Sequence, residues 1–226
     1  VKMQTLASKG YYDGKNLFIE TAQAKNDNGH ILTSGNIPFD LNIGSSTYGK
    51  YFESDSVNLK TEAELSNLPF LSPYIADLDS AKGDYKIILN VKGPIGNLTR
   101  DGYILIQDGV LYTQLLNDPI RFINGEAQLI NNKLIIKSLN ADINIENVKN
   151  IRTKIPNTQI AGEINLNKFF NPHYNLKLES KNASFRLLFL DIYGETNLDL
   201  SIFGRDTVNI TGKIEPEEVN VFYEFA

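Results

Sequence analysis

The chain has 226 residues, 42% hydrophobic and 22% charged, with 22 Lys and Arg against 27 Asp and Glu for a formal net charge of −5. That length suits one or two domains, and a mildly acidic chain without a basic run lacks the footprint of a nucleic-acid binder or a polybasic membrane anchor. It contains no cysteine, which removes disulfides, thiolate metal sites and cysteine nucleophiles together.

No apolar run reaches the length that spans a bilayer as a helix. No signal peptide opens the chain. Its start, Val1-Lys2-Met3-Gln4, already alternates like a strand, and we read the sequence as a piece of a longer chain.

The dominant pattern has period two, which gives a strand one apolar and one wet face. In chain order, Asp13-Gly14 and Asn28-Gly29 mark tight turns, because Asp-Gly and Asn-Gly tolerate the positive φ of hairpins. Gly44 to Ser56 is polar and rich in Gly, Ser and Tyr, and reads as a loop. Leu65 to Leu78 spaces its apolar residues nearer a helical period, with Pro69 and Pro73 limiting regularity, and predicts short helical turns. Tyr85, Ile87, Leu89 and Val91 then alternate with Lys86, Ile88, Asn90 and Lys92. Gly93-Pro94-Ile95-Gly96 is a turn and not a phosphate cradle, since no helix follows it.

Asp101-Gly102, Asp108-Gly109, Asn124-Gly125 and Asn131-Asn132 read as further turns. Strands follow at Ala141, Ile143 and Ile145, at Ile160 to Leu166, and, after an irregular zone at Lys168 to Pro172, at Tyr174, Leu176 and Leu178. Phe185-Arg186-Leu187-Leu188-Phe189-Leu190 is apolar on both faces and calls for a covering element, a membrane or a partner. Leu198, Leu200 and Ile202, then Val208, Ile210 and Ile214, then Val219, Val221 and Tyr223 complete the series. The expected fold is all-β, a long antiparallel meander joined neighbour to neighbour.

Catalytic signatures are absent from the sequence. His30 and His173 lie far apart with no metal-ligand spacing, so no metal and no cofactor are expected. Glu62 and Glu64 share a strand face and lack the facing carboxylate a glycosidase needs. Glu217-Glu218 follow Pro216 in an expected turn, where solvated charge explains them. No nucleophile elbow, P-loop or dinucleotide fingerprint occurs. The chain is not expected to be an enzyme.

An internal repeat pairs Gly83-Asp84-Tyr85 through Gly93 with Gly194-Glu195-Thr196 through Gly204. Each stretch continues through a turn into a strand beginning with glycine, at Gly102 and Gly212, and then a further strand at Val110-Leu111-Tyr112 and Val219-Asn220-Val221-Phe222. The repeat thus covers 83–112 and 194–223, and points to an extended, quasi-one-dimensional β structure.

The run Leu78-Asp79-Ser80-Ala81-Lys82-Gly83, a strand to Val91-Lys92-Gly93-Pro94-Ile95-Gly96-Asn97-Leu98, then Asp101-Gly102-Tyr103-Ile104-Leu105-Ile106-Gln107-Asp108-Gly109, resembles the TamB/AsmA-like family of translocation and assembly module proteins. Ile120 to Leu129, Lys133 to Leu139 and Gly35-Asn36-Ile37-Pro38-Phe39 are similar to it as well. The chain departs from the family pattern at Leu98-Thr99-Arg100, where Pro is more usual.

The resemblance implies a single elongated segment over 1–226, its meander curled into an open groove (a β-taco). It implies a periplasmic location, anchored to the inner membrane through a segment outside this sequence, in outer membrane biogenesis. It also implies phospholipid as partner, with acyl chains sliding along the groove between membranes, and an outer-membrane β-barrel assembly protein as a further partner. The lining residues expected are Tyr85, Ile87, Leu89, Val91, Leu198, Leu200, Ile202, Val208 and Ile210. Alternation alone fits two other readings: a β-sandwich or β-solenoid of structural or adhesive role, whose apolar faces seal each other, and an assembly factor that works by strand addition.

Overall fold

A computed structural model describes residues 4–51, 55–68, 78–114, 116–144, 156–187 and 192–221. Its twelve strands are β1 (Thr5–Tyr12), β2 (Asn16–Asn26), β3 (Gly29–Pro38), β4 (Ser56–Asn67), β5 (Leu78–Pro94), β6 (Thr99–Thr113), β7 (Ile120–Ile130), β8 (Lys133–Asp142), β9 (Thr158–Asn165), β10 (His173–Leu187), β11 (Ile192–Gly204) and β12 (Val208–Val221). They form one antiparallel sheet in strict sequence order, with β1 and β12 as the two end strands. The sheet is open and does not close on itself as a barrel.

The alternation explains these strands, and the turns explain the order. Asp13 accepts hydrogen bonds on Oδ1 from the Lys15 and Asn16 amides and closes the β1–β2 turn. Asn131 and Asn132 both take left-handed φ, +50° and +64°, as a two-residue hairpin between β7 and β8 demands. A 3₁₀ turn at Ile95–Asn97 joins β5 to β6. Of the loop expected at 44–56, residues 44–51 and 55 lie outside strands, Ser56 opens β4, and 52–54 lie outside the described residues; 168–172 lie between β9 and β10 as read from the sequence.

Three expected turns are not turns. Asp101-Gly102 and Asp108-Gly109 lie inside β6, and Asn124-Gly125 lies inside β7. The glycines serve close backbone approach. A Cβ on Gly102 would sit 1.9 Å from the Ile88 carbonyl oxygen, and a Cβ on Gly83 (φ +142°) would sit 2.7 Å from the Gly109 Cα. Asp108 takes φ +48°, and its amide donates to Asn124 Oδ1 at 3.0 Å. Asx-Gly pairs that mark turns elsewhere here sit inside long strands, where glycine lets a neighbouring backbone come close.

Other expectations are corrected for the same reason, that strands run longer than local signals suggest. Val110-Leu111-Tyr112 continues β6, and Val219-Asn220-Val221 continues β12, so neither is a separate strand. Glu217 and Glu218 lie in β12, not in a turn, beside a register shift opposite Glu195 and Thr196. Leu65 to Asn67 belong to β4 and are not helical. Leu78, at the other end of that expected helical stretch, opens β5; 69–77 lies outside the described residues, as do Ile145, Leu188, Phe189, Leu190, Phe222 and Tyr223.

The contacts divide the chain into two compact units. One comprises 1–66, 85–104 and 128–132; the other comprises 67–84, 105–127 and 133–226. In the first, pairing aligns Leu6, Ala24, Ile31 and Ala63 in one row, and Ile19, Gly35 and Leu59 in another on the same face. The opposite face carries ion pairs: Lys9 with Glu20, Lys60 with Glu62 at 2.6 Å, and Lys86 with Glu64 at 3.1 Å. Tyr11 stacks on Phe18 there, ring centroids 4.8 Å apart.

Candidate functional site

In the second unit, five strands from β8 to β12 assemble a two-faced surface whose composition follows from register. Each row below crosses the strands on one face. Leu134, Ile164, Tyr174, Gly204 and Val208 form the first, and Ile136, Gly162, Leu176, Ile202 and Ile210 the second. Leu139, Ile160, Leu178, Leu200 and Gly212 form the third, and Ala141, Thr158, Ser180, Leu198 and Ile214 the fourth. Beyond these, Ala183, Thr196 and Pro216 align, then Phe185, Gly194 and Val219.

The other face is charged. Lys177 pairs with Glu179 on its own strand and with Asp199 at 3.6 Å, Lys133 with Glu163 at 3.1 Å, and Lys213 with Glu215. The Glu179 carboxylate, hydrogen-bonded by the Lys177 ammonium, is held below its ordinary pKa, and the Lys177 ammonium is raised by the same contact. These groups are solvated, so the pairs define a wet surface more than they stabilise the fold. A polar concavity of about 600 Å³ opens on this side, lined by Glu179, Lys181, Asn182, Asn197, Lys213 and Glu215 among others.

The apolar face is only partly covered. Leu198, Leu200 and Ile202 are half-buried, and Ile210 and Ile214 are each 63% exposed. Among the described residues, the largest side chains wholly removed from solvent are Thr196 and Pro38. A face sealed by an opposing sheet would bury its Leu and Ile at that level instead. Full burial stabilises a Leu or Ile by about 1.5–3 kcal/mol. This surface therefore keeps a reserve of apolar contact that an apolar occupant would satisfy.

One polar patch interrupts the stripe. Thr158 Oγ1 and Ser180 Oγ, both buried, hydrogen-bond each other at 2.8 Å, so neither is left unsatisfied. Asn157 braces the same place: its Oδ1 accepts from the Ile143 amide at 3.0 Å and its Nδ2 donates to the Ile143 carbonyl at 3.1 Å.

Of the nine residues singled out from sequence, Leu198, Leu200, Ile202, Val208 and Ile210 fall together on this face. Tyr85, Ile87, Leu89 and Val91 lie on β5. Tyr85 is buried, 4% exposed, and desolvation raises its hydroxyl pKa; Ile87, Leu89 and Val91 are half-buried. Among the aromatics of β10 and β11, Phe185 shares the apolar face of β8–β12, whereas Tyr193 and Phe203 point to the charged one.

Sequence reading missed Leu134 and Ile136 as members of the surface, and left Ile160, Ile164, Leu176, Leu178 and Ile214 as alternation without a place. Alternation marks a face within each strand, but only register joins faces. The carboxylates considered for catalysis are otherwise engaged. Glu62 and Glu64 hold lysines, and Glu217 accepts from Asn197 Nδ2 at 2.9 Å. His30 is half-buried in β3 beside Lys25 and Glu64, and His173 is exposed at the start of β10.

No family model, curated protein or solved structure matches the chain.

Proposed function

We propose that this chain carries phospholipid acyl chains along the apolar face of its sheet, as a segment of a periplasmic, bridge-like protein of the TamB/AsmA-like type. The observation that supports this is the β8–β12 surface: five strands of register-matched apolar side chains, half-exposed, backed by a charged face. The rows from Tyr174 to Ser180 extend roughly 20 Å along the strands, and β8 to β12 about 19 Å across them. A leaflet's hydrocarbon is about 15 Å deep, so one such surface accommodates an acyl chain at full length.

The mechanism is passive. Each methylene moved from water to an apolar surface contributes about 0.8 kcal/mol, and neighbouring positions are near-equivalent, so a chain slides with little barrier while its headgroup stays in water. No side chain needs special chemistry. Two measurements test the reading together. Mass spectrometry of the purified protein should find co-purified phospholipid. A photo-crosslinking residue at Leu200 should capture lipid, and one at Ser201, on the charged face, should not. Equal capture at both, or none at Leu200, would overturn it.

A further inference from the structure

The β9–β10 connection breaks the ordinary chemistry of turns. The Asn171 amide donates to the Lys168 carbonyl at 3.0 Å, which places Phe169 and Phe170 at the two central positions of a four-residue turn. Those positions usually hold Gly, Pro, Asn, Asp or Ser, whose small or polar side chains suit water. Phe170 is 87% exposed, and Phe169, partly exposed, meets it edge to face with centroids 5.3 Å apart. Folding gives no reason for a ring as exposed as Phe170 at this position, and local rules broken without a gain in packing mark functional positions.

The turn is held in place. The Asn167 amide donates to Asn165 Oδ1 at 3.0 Å, and Asn171 Nδ2 donates to Asp206 Oδ1 in the β11–β12 turn. The second turn brings more of the same character: Phe203 and Val208 flank it and are 41% and 46% exposed. Lys168 has no ion-pair partner among the described residues, and Arg205 stands beside Asp206, whose carboxylate already accepts from Asn171. So one end of this unit displays apolar side chains beside two cations, on a chain whose net charge is −5.

We infer that this tip docks on a phospholipid bilayer surface, with the Phe169 and Phe170 rings in the headgroup–acyl boundary and Lys168 against lipid phosphates. Rings beside a cation suit that boundary, where one part of the site is apolar and the other wet. A membrane favours this more than a protein groove does, because a bilayer rewards an apolar point backed by positive charge and needs no matched shape. The inference goes beyond acyl-chain carriage and does not depend on it.

The chain has no Trp, so Phe170→Trp introduces a single reporter at an exposed site without disturbing the fold. Its emission should shift to the blue on adding vesicles of phosphatidylcholine and phosphatidylglycerol, and brominated lipids should quench it. In sedimentation with the same vesicles, the double substitution Phe169→Ser and Phe170→Ser should weaken binding at least about tenfold, and Lys168→Ser should weaken it on anionic vesicles alone. Emission unchanged at saturating vesicles, or equal sedimentation of the double variant, would overturn the inference. A blue shift that depends on protein concentration and not on vesicles would mean that the tip contacts a second copy, and would also overturn it. Loss of co-purified lipid with vesicle binding intact would count against acyl-chain carriage only.

Discussion

Leu200→Glu puts a carboxylate at the centre of the apolar rows, between Leu178 and Gly212. Leu200 is half-buried, so losing its side-chain contacts costs about 1 kcal/mol, half of a full burial. A domain's stability of about 5–15 kcal/mol absorbs that, and the new carboxylate keeps access to water while the face is bare. An acyl chain laid over it changes the balance. Covering a polar group without a hydrogen-bond partner costs at least about 2 kcal/mol, which lowers occupancy by roughly 30-fold. The assay is phospholipid per protein by mass spectrometry at pH 8, with circular dichroism and a thermal melt to check the fold. Ser201→Glu is the control: it adds the same charge on the opposite face, where Lys177 and Thr211 are its neighbours. Lipid should fall for the first and hold for the second. A folded Leu200→Glu protein with undiminished lipid would refute the claim that acyl chains lie on these rows.

Three further outcomes concern the sheet itself. Gly102→Ala should destabilise by about 2–3 kcal/mol, since its Cβ would lie 1.9 Å from the Ile88 oxygen and backbone must move; a melt should fall by roughly 5–10 °C, and an unchanged melt would mean that β5 and β6 are not so closely apposed. Asn132→Ala removes a buried side chain that accepts from the Arg100 amide (2.9 Å) and guanidinium (3.1 Å), donates to the Leu98 carbonyl (2.9 Å), and holds φ at +64°. Denaturant titration should show a loss of about 2–4 kcal/mol, and a loss below about 1 kcal/mol would contradict this geometry. Asp40 is held below its ordinary pKa of 3.8 chiefly by the Thr47 hydroxyl, then by the Asn42 amide and Ser45. Because the folded value is the lower one, its contribution is present above the ordinary value and lost as pH falls through the depressed one. Protection of the amides from Leu41 to Lys50, taken relative to their intrinsic exchange at each pH, should therefore fall in acid below the ordinary carboxylate range. Asp40→Asn should show low protection at every pH, and high protection in that variant would clear Asp40 of the role.

Period-two alternation is a local property, legible because each side chain's face depends only on its place in the pleat. It reached four of the five strands in the apolar rows, with Ile160 to Ile164, Tyr174 to Leu178, Leu198 to Ile202 and Val208 to Ile214 readable in advance, and missed Leu134 and Ile136 of β8, where Leu134-Ile135-Ile136 do not alternate. Asx-Gly pairs were less trustworthy, because glycine suits both a hairpin and close backbone approach inside a strand. Asp13-Gly14 and Asn28-Gly29 lie at turns, whereas Asp108-Gly109 and Asn124-Gly125 lie inside β6 and β7. The difference lies in the partner strand, whose carbonyls and side chains sit many residues away.

By itself, then, the sequence determined that the chain is strand after strand, each with one apolar side, and that neighbours in sequence pair. Tertiary structure decided what those sides do. Register across β8–β12 made five separate alternations into one continuous surface, on which Ile210 and Ile214 stay 63% exposed. It also turned Phe169 and Phe170, unremarked within an irregular stretch, into an exposed tip. The physical reason is that a residue's face follows from the chain it belongs to, while its burial depends on what lies opposite, and one strand's pattern holds no record of that.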